Sequence, residues 1–531
     1  MGPPCGLQQR LIRTEGLSLQ RRDFIHGGIG FSALAAFSTS GLSPARAATA
    51  SPVGPAPGPF DQSTVRRLAQ QMAVQPYRGP DTRLPGPLAH LTYDDYRGIV
   101  YRPEQALWHN QKLRFQVQFF PRGFLYEARV DMFEVADGQA TAVPYSSDLF
   151  DFADPKLKVP GDIGFSGLRI LNPLNNPDVF EEFCVFLGAS YFRAVAKGQI
   201  YGLSARGLAI GTGNPKGEEF ARFSAFWLER PLPGQTSIVL HALLDSQSVT
   251  GAFTFTITPG SETLFDVESA LYPRVDITEP GLGTLTGMFY FDANNRNKVN
   301  DWRPAAHDSE GLSIWSGGGA QIWRPLNDPV TLQFSAFGDT NPHGFGLMQR
   351  KRSFSDYQDI ALQYEKRPSL WIEPIGDWGQ GAVDLVEIPS PNEVNDNIVA
   401  FWRPKDKLAA KGEYTFTYRM HWGWDCPWPT KLGRVVDTRI GNSDDHPGLE
   451  FALDFVGDDL KALPADASLH AQLGANTGKI TGVVVEPNPA LGGWRVLFTL
   501  TPGSAPLVEL NGVLMNGQTP VSETWLYRWT P

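Results

Sequence analysis

Four stretches of this chain alternate apolar and polar residues with a period of two: 113–119 (LRFQVQF), 251–258 (GAFTFTIT), 414–420 (YTFTYRM) and 494–500 (WRVLFTL). Successive side chains of a β-strand point to opposite faces, so the pattern buries one face and wets the other only if the backbone is extended. A helix would scatter the same residues around its whole circumference. Turn clusters rich in Gly, Pro and Asn separate the stretches, and 54 Gly and 43 Pro leave little room for long helices. One helical pattern stands out at 63–73, where Val65, Leu68, Ala69 and Met72 recur at i, i+3, i+4 and i+7. The fold class is therefore mainly β, in sandwich form.

With 531 residues the chain has room for two domains. The polar, Pro- and Gly-containing segment 403–412 interrupts strand-like stretches and reads as a linker. It predicts a large first domain over 61–402 and a second over 413–531, of ~120 residues, the size of an immunoglobulin-like sandwich. Residues 48–60, rich in Pro, Ala and Gly, read as a flexible lead-in. Before them come Arg21-Arg22, then Phe24-Ile25, a weakly apolar run at 27–41, and Ala45-Arg46-Ala47. Together these predict a twin-arginine export signal over 1–47 and a periplasmic destination.

Cleavage after Ala47 removes five Arg and two acidic residues, which takes the net charge from −10 to −13. Such a surface is unsuited to anionic lipid, and no basic cluster suggests nucleic acid as a partner. Cys5 leaves with the signal; Cys184 and Cys426 remain and are expected as buried free thiols. No Cys or His spacing suggests a metal, and no cofactor is expected.

The richest ground for chemistry is 290–325, which sets Asn294, Asn295, Arg296, Arg303, His307, Asp308 and Ser309 beside Trp302, Trp315 and Trp323. A second cluster, 354–378, holds Tyr357, Tyr364, Arg367, Trp371, Glu373 and Trp378. Flat aromatics stack on sugar C–H groups while amides, guanidinium groups and carboxylates read hydroxyls. Composition weighs that reading equally with tryptophans in a core beneath solvated loops. Glycoside hydrolysis needs two carboxyl groups with different duties, and Asp308 and Asp396 sit on separate polar loops. Asp356, Asp359, Glu373 and Glu387 are equally open to the role by pattern alone. His307 reads as a hydrogen-bonding or structural residue, since no G-x-S-x-G elbow accompanies it.

Several longer segments match in order those of a known family: FLGASYFRA at 186–194, YGLSARGLA at 201–209, LDSQSVTGA at 244–252, HDS at 307–309, GFGLMQ at 344–349, RPSLW at 367–371, NDNIV at 395–399 and SETW at 522–525. The chain resembles the osmoregulated periplasmic glucan biosynthesis proteins, the G and D proteins, along nearly its whole mature length. Its twin-arginine signal is similar to that of the D branch. The short loop at 440–447 is more similar to the G branch, because D-branch proteins carry a longer insertion that reaches across a dimer.

The resemblance implies a large N-terminal galactose-mutarotase-like β-sandwich followed by an immunoglobulin-like domain. It also implies a β-1,2-glucan polysaccharide as the ligand, and members are similar to anomer-inverting endo-β-1,2-glucanases. Carried over by position, the general acid falls on Asp396 and the base on Asp308. Tyr364, Trp371 and Glu393 fall where substrate contacts are expected, with His307, Arg367 and Trp315 as further binding candidates. A homodimer and contact with the inner-membrane glucan synthase complete the expected partners. The competing expectation is a non-catalytic glucan-binding or assembly factor.

Overall fold

The computed structural model of the chain describes residues 55–531 apart from 297–298, 429, 444–446 and 465–466. The export signal and most of the lead-in lie outside the described residues. The described chain is mainly β, as the alternating stretches require.

Two large sheets pack face to face. The central strands of the first run, neighbour to neighbour, Ile238–Asp245, Val249–Thr258, Thr263–Pro273, Tyr414–Gly423, Ser369–Ile375, Gly344–Met348, Gly311–Trp315 and Gln321–Pro325. The second runs Gln333–Thr340, Gln380–Glu387, Ile398–Pro404, Pro280–Gly287, Ser204–Arg206, Tyr191–Ala194, Glu181–Leu187, Phe165–Asn172 and Gln116–Pro121. The pattern at 251–258 shows why the strands pack this way. Phe253, Phe255 and Ile257 are buried between the sheets, while Thr254, Thr256 and Thr258 face outward. Phe255 meets Phe186, Phe192, Phe223 and Phe265 from both sheets, with centroids 5.3–6.4 Å apart. The helix Thr64–Ala73 forms where its pattern predicts and seals the back of the first sheet. Its Val65 and Ala69 pack on Trp227, Leu243, Ala252 and Ala270.

Residues 403–423 belong to this sandwich. Tyr414–Gly423 is hydrogen-bonded between Thr263–Pro273 and Ser369–Ile375. Leu408, inside the expected linker, is buried in the main core and exchanges both backbone hydrogen bonds with Ile277, each 2.9 Å. We therefore place the division between the two parts beyond Gly423. Polarity alone misled here: the segment is polar because it edges a sandwich, not because it hangs between domains.

The C-terminal part sets the sheet Arg434–Asn442, Leu449–Val456, Gly493–Thr501 and Lys479–Asn488 against the strands Thr524–Trp529, Val508–Asn516 and Leu469–Ala475. They share a core of Phe451, Phe498, Trp525 and Tyr527. Thr524–Trp529 also pairs in parallel with Gln321–Pro325, so the first large sheet continues unbroken into the second part. Trp323, Met348 and Trp371 reach out from that sheet and complete the C-terminal core.

Candidate active site

Asp308 ends a short hairpin of Phe289–Phe291 and Ala306–His307, and its amide donates to the Met288 carbonyl at 2.7 Å. The carboxylate is fully buried and ion-paired with Arg367. The Arg367 guanidinium lies over the Tyr364 ring, 4.4 Å from its centroid. Tyr364 donates its hydroxyl to Glu393 at 2.9 Å, and Arg303 bridges Glu393 (2.6 Å) to Asp359 (3.0 Å). Burial pushes the Tyr364 phenol well above its ordinary range, so it stays a neutral donor. Charges this deep are retained because each has a partner of opposite sign.

His307 is clamped between the Phe289 ring (centroids 5.4 Å, stacked) and the edge of Tyr357 (5.2 Å). Its Nδ1 lies 2.9 Å from Gln349 Oε1, an acceptor, so Nδ1 carries the proton. Gln349 returns its amide to the carbonyls of His307 (3.3 Å) and Tyr364 (3.1 Å). On the other side, Nε2 faces Asp292 at 3.4 Å, and Asp292 is bound by Lys351 through both oxygens at 2.7 and 2.6 Å. Burial opposes the Asp292 charge, but Lys351 holds its pKa below the ordinary carboxylate range.

Asp396 comes from the other side of the chain, at the head of the strand Ile398–Pro404. The turn before it closes on local side-chain bonds: Val394 N donates to Asn392 Oδ1 (3.0 Å) and Ser390 Oγ to Asn392 O (2.6 Å). Asn397, 2 % exposed, then fastens the loop. Its Oδ1 accepts from Phe289 N at 2.9 Å, and its Nδ2 donates to Phe289 O (2.9 Å) and Ile388 O (3.1 Å). The loop carrying Asp396 is thus bound to Phe289, next to the Met288 carbonyl that holds Asp308. Register agrees: Gly287 pairs with Ile398, and a Cβ on Gly287 would lie 3.9 Å from Asp308 Cβ.

Around Asp396 the outer face of the second sheet is polar. Arg193 Nη2 lies 4.0 Å from Asp396 Oδ2 and its Nε donates to Ser204 Oγ at 2.7 Å. Arg206 donates to Thr286 (2.9 Å) and pairs with Glu218 (2.5 Å), its guanidinium 4.7 Å from the Tyr191 centroid. Burial, with smaller contributions from Glu218 and Asp396, pushes the Tyr191 phenol up to about 12. Farther along the same face Arg169 joins Gln118 (2.8 Å) and Glu182 (3.0 Å). Arg169, Arg193, Arg206 and their hydroxyl partners escaped the sequence reading. A single arginine on the outward face of a strand ordinarily marks a wetted surface, and only the arrival of Asp396 makes this one a candidate site.

The remaining expected residues fall elsewhere. Trp371 is 1 % exposed, its ring in the C-terminal core over Gly344, so it offers no stacking face. Trp315 is half-buried on the outer face of the first sheet, across the core from Asp396. Glu387 is buried against Arg324 (3.0 Å), and Asp356 closes the capping box of the short helix Phe354–Tyr357. Cys184 is buried in the second sheet, where burial raises its thiol pKa; Cys426 is half-buried and also free.

The family model described as "Periplasmic glucan biosynthesis protein, MdoG" matches residues 60–529. The chain is 55 % identical over 472 residues to Glucans biosynthesis protein G of Rhodopseudomonas palustris, covering 89 % of this chain and 94 % of that one. It is 46 % identical over 478 residues to the protein of the same name from Vibrio cholerae, covering 89 % and 87 % respectively. A Bradyrhizobium diazoefficiens relative, also of that name, is 53 % identical over 473 residues.

Proposed function

The chain belongs to the periplasmic glucan biosynthesis family, and from that membership we propose that it is an anomer-inverting hydrolase that cuts the β-1,2-glucan backbone internally. In this reading the glucan lies along the polar outer face of the second sheet. Arg169, Arg193 and Arg206 hold its hydroxyls there, with Ser204 and Thr286 beside them. Asp396 donates a proton to the leaving oxygen. Arg193 stands 4.0 Å from this carboxyl, where it can orient the group toward the bond to be cut. Asp308 takes the proton of the attacking water. Because Asp308 is buried under Arg367, that proton crosses an intervening hydroxyl or water, as the wide carboxyl separation of inverting enzymes allows.

The observation that carries the proposal is the meeting of two loops, distant in sequence, at Met288 and Phe289, each bringing one carboxylate. Its test is Asp396→Asn, which keeps shape and hydrogen bonding but has no proton to give. Linear β-1,2-glucan should still bind, while new reducing ends appear about 10²- to 10⁴-fold more slowly. NMR should find the α anomer as the first product of the unmodified protein. Full activity in Asp396→Asn, or a β first product, would overturn the assignment.

One observation favours a second reading. Asp308 is sealed in an ion pair with Arg367, as a purely structural carboxylate would be. The protein would then be a non-catalytic binding or assembly factor, working as a homodimer or beside the inner-membrane glucan synthase. Binding of unbranched glucans of several lengths without new reducing ends would decide for it.

A further inference from the structure

The polar face around Asp396 has a counterpart across the core. On the outer face of the first sheet, Trp315 lies opposite Gly344, and Glu373, Arg419 and Asp266 lie opposite one another on the three strands beyond. Thr256 extends the row by one more strand. At ~4.8 Å between strands, the row from Trp315 to Thr256 spans ~24 Å. These side chains alternate along their strands with Met420, Ile372 and Phe265, which fill the core, so they point away from the second sheet.

One end of the row is aromatic. The Trp315 ring lies 4.7 Å from His343 and 6.0 Å from Trp428, and Trp428 is 37 % exposed. His421 joins them 6.4 Å from Trp428, held between Glu262 (3.1 Å) and Glu373 (3.0 Å). Six of the fourteen tryptophans, Trp227, Trp323, Trp371, Trp402, Trp422 and Trp525, are fully buried. Trp428 is open and Trp315 half-buried beside it, and apolar surface left in water is what a binding partner would cover.

We propose that this face is a second binding surface for a neutral polyhydroxyl chain, a glucan segment held away from the Asp396 cleft. Exposed indole faces supply stacking for sugar C–H groups, and Glu373, Glu262, Asp266 and Arg419 supply acceptors and donors for hydroxyls. Three carboxylates against one guanidinium repel an anionic polymer, and an apolar peptide would cover those charges without partners. The choice of glucan as the ligand rests on the function proposed above. A second grip of this kind raises the local concentration of a long chain at the cleft through linkage alone.

The test measures binding of linear β-1,2-glucan by calorimetry, first with chains too short to reach both faces. The unmodified mature protein should bind two such chains. Trp428→Ala should leave the cleft site intact and weaken the other about fivefold, the ratio ~1 kcal/mol of lost stacking corresponds to, and Glu373→Gln should weaken that same site while sparing the cleft. Arg193→Ala should weaken only the cleft site. Circular dichroism melting of each variant verifies that the fold is retained. A single site that Arg193→Ala removes, and that neither Trp428→Ala nor Glu373→Gln touches, would overturn this surface and spare the cleft. A single site lost in Trp428→Ala but untouched in Arg193→Ala would instead keep this surface and overturn the cleft reading. No binding in the unmodified protein would overturn both.

Discussion

Asn397 holds the loop of Asp396 to the hairpin of Asp308, and its removal has a calculable cost. Besides a long 3.5 Å bond to Asp328, two shorter donated bonds, to Phe289 O and Ile388 O, and one accepted from Phe289 N are lost in Asn397→Ala. Of the three shorter bonds, two are buried and the one to Ile388 partly so, and at ~1 kcal/mol net each the loss is about 3 kcal/mol. Unfolding entropy of ~2.1 cal/mol/K per residue over ~480 residues is about 1 kcal/mol/K, so the melting temperature should fall by about 3 °C. Activity should fall further than stability, at least tenfold, because Asp396 loses its aim while the sandwich beneath stays packed. Asn397→Asp sharpens the test. It keeps the shape and the acceptor, loses the donor, and places a second carboxylate beside Asp328, whose Oδ1 lies 3.5 Å from Asn397 Nδ2. It should be at least as damaging as Ala. Scanning calorimetry and a reducing-end assay on linear glucan read both effects. If both variants melt within about 1 °C of the unmodified protein and turn over normally, the clamp argument is refuted.

Arg367→Met strips the Asp308 carboxylate of its buried partner and should cost about 3–5 kcal/mol, read as a fall in urea midpoint; an unchanged midpoint would refute the ion pair as a source of stability. Burial raises the Asp328 carboxyl to about 7, despite the hydrogen bonds it accepts from Ser390 and Asn397. The folded protein therefore holds that proton more tightly than the unfolded chain. The contribution is fully present below about pH 4 and is lost as pH rises through about 7. Asp328→Asn should flatten that part of the stability–pH curve, and an unaltered slope would rule the group out. Lys at both Arg21 and Arg22 should leave precursor in the cytoplasm, whereas mature protein in the periplasm at normal level would disprove twin-arginine export.

The strand pattern was legible from local sequence because period-two alternation is a property of the extended backbone itself, and 251–258 shows its faces assigned without any neighbour being known. So was the helix at Thr64–Ala73, from its 3.6-residue period. The place where the first sandwich ends was not legible. Residues 414–420 read correctly as a strand, but a strand's own residues do not say which strands flank it. That is set by pairing with Thr263–Pro273, some 150 residues earlier in the chain. The same limit governed the site. Asp396 between two asparagines announces a turn, and that turn is there. Only tertiary structure decides that Asn397 reaches Phe289, that Arg193 stands beside Asp396, and that Trp371 is core while Trp428 is open. A tryptophan carries the same ring in either place; which atoms cover it depends on where the C-terminal sandwich docks, and that contact is built from parts of the chain far apart in sequence.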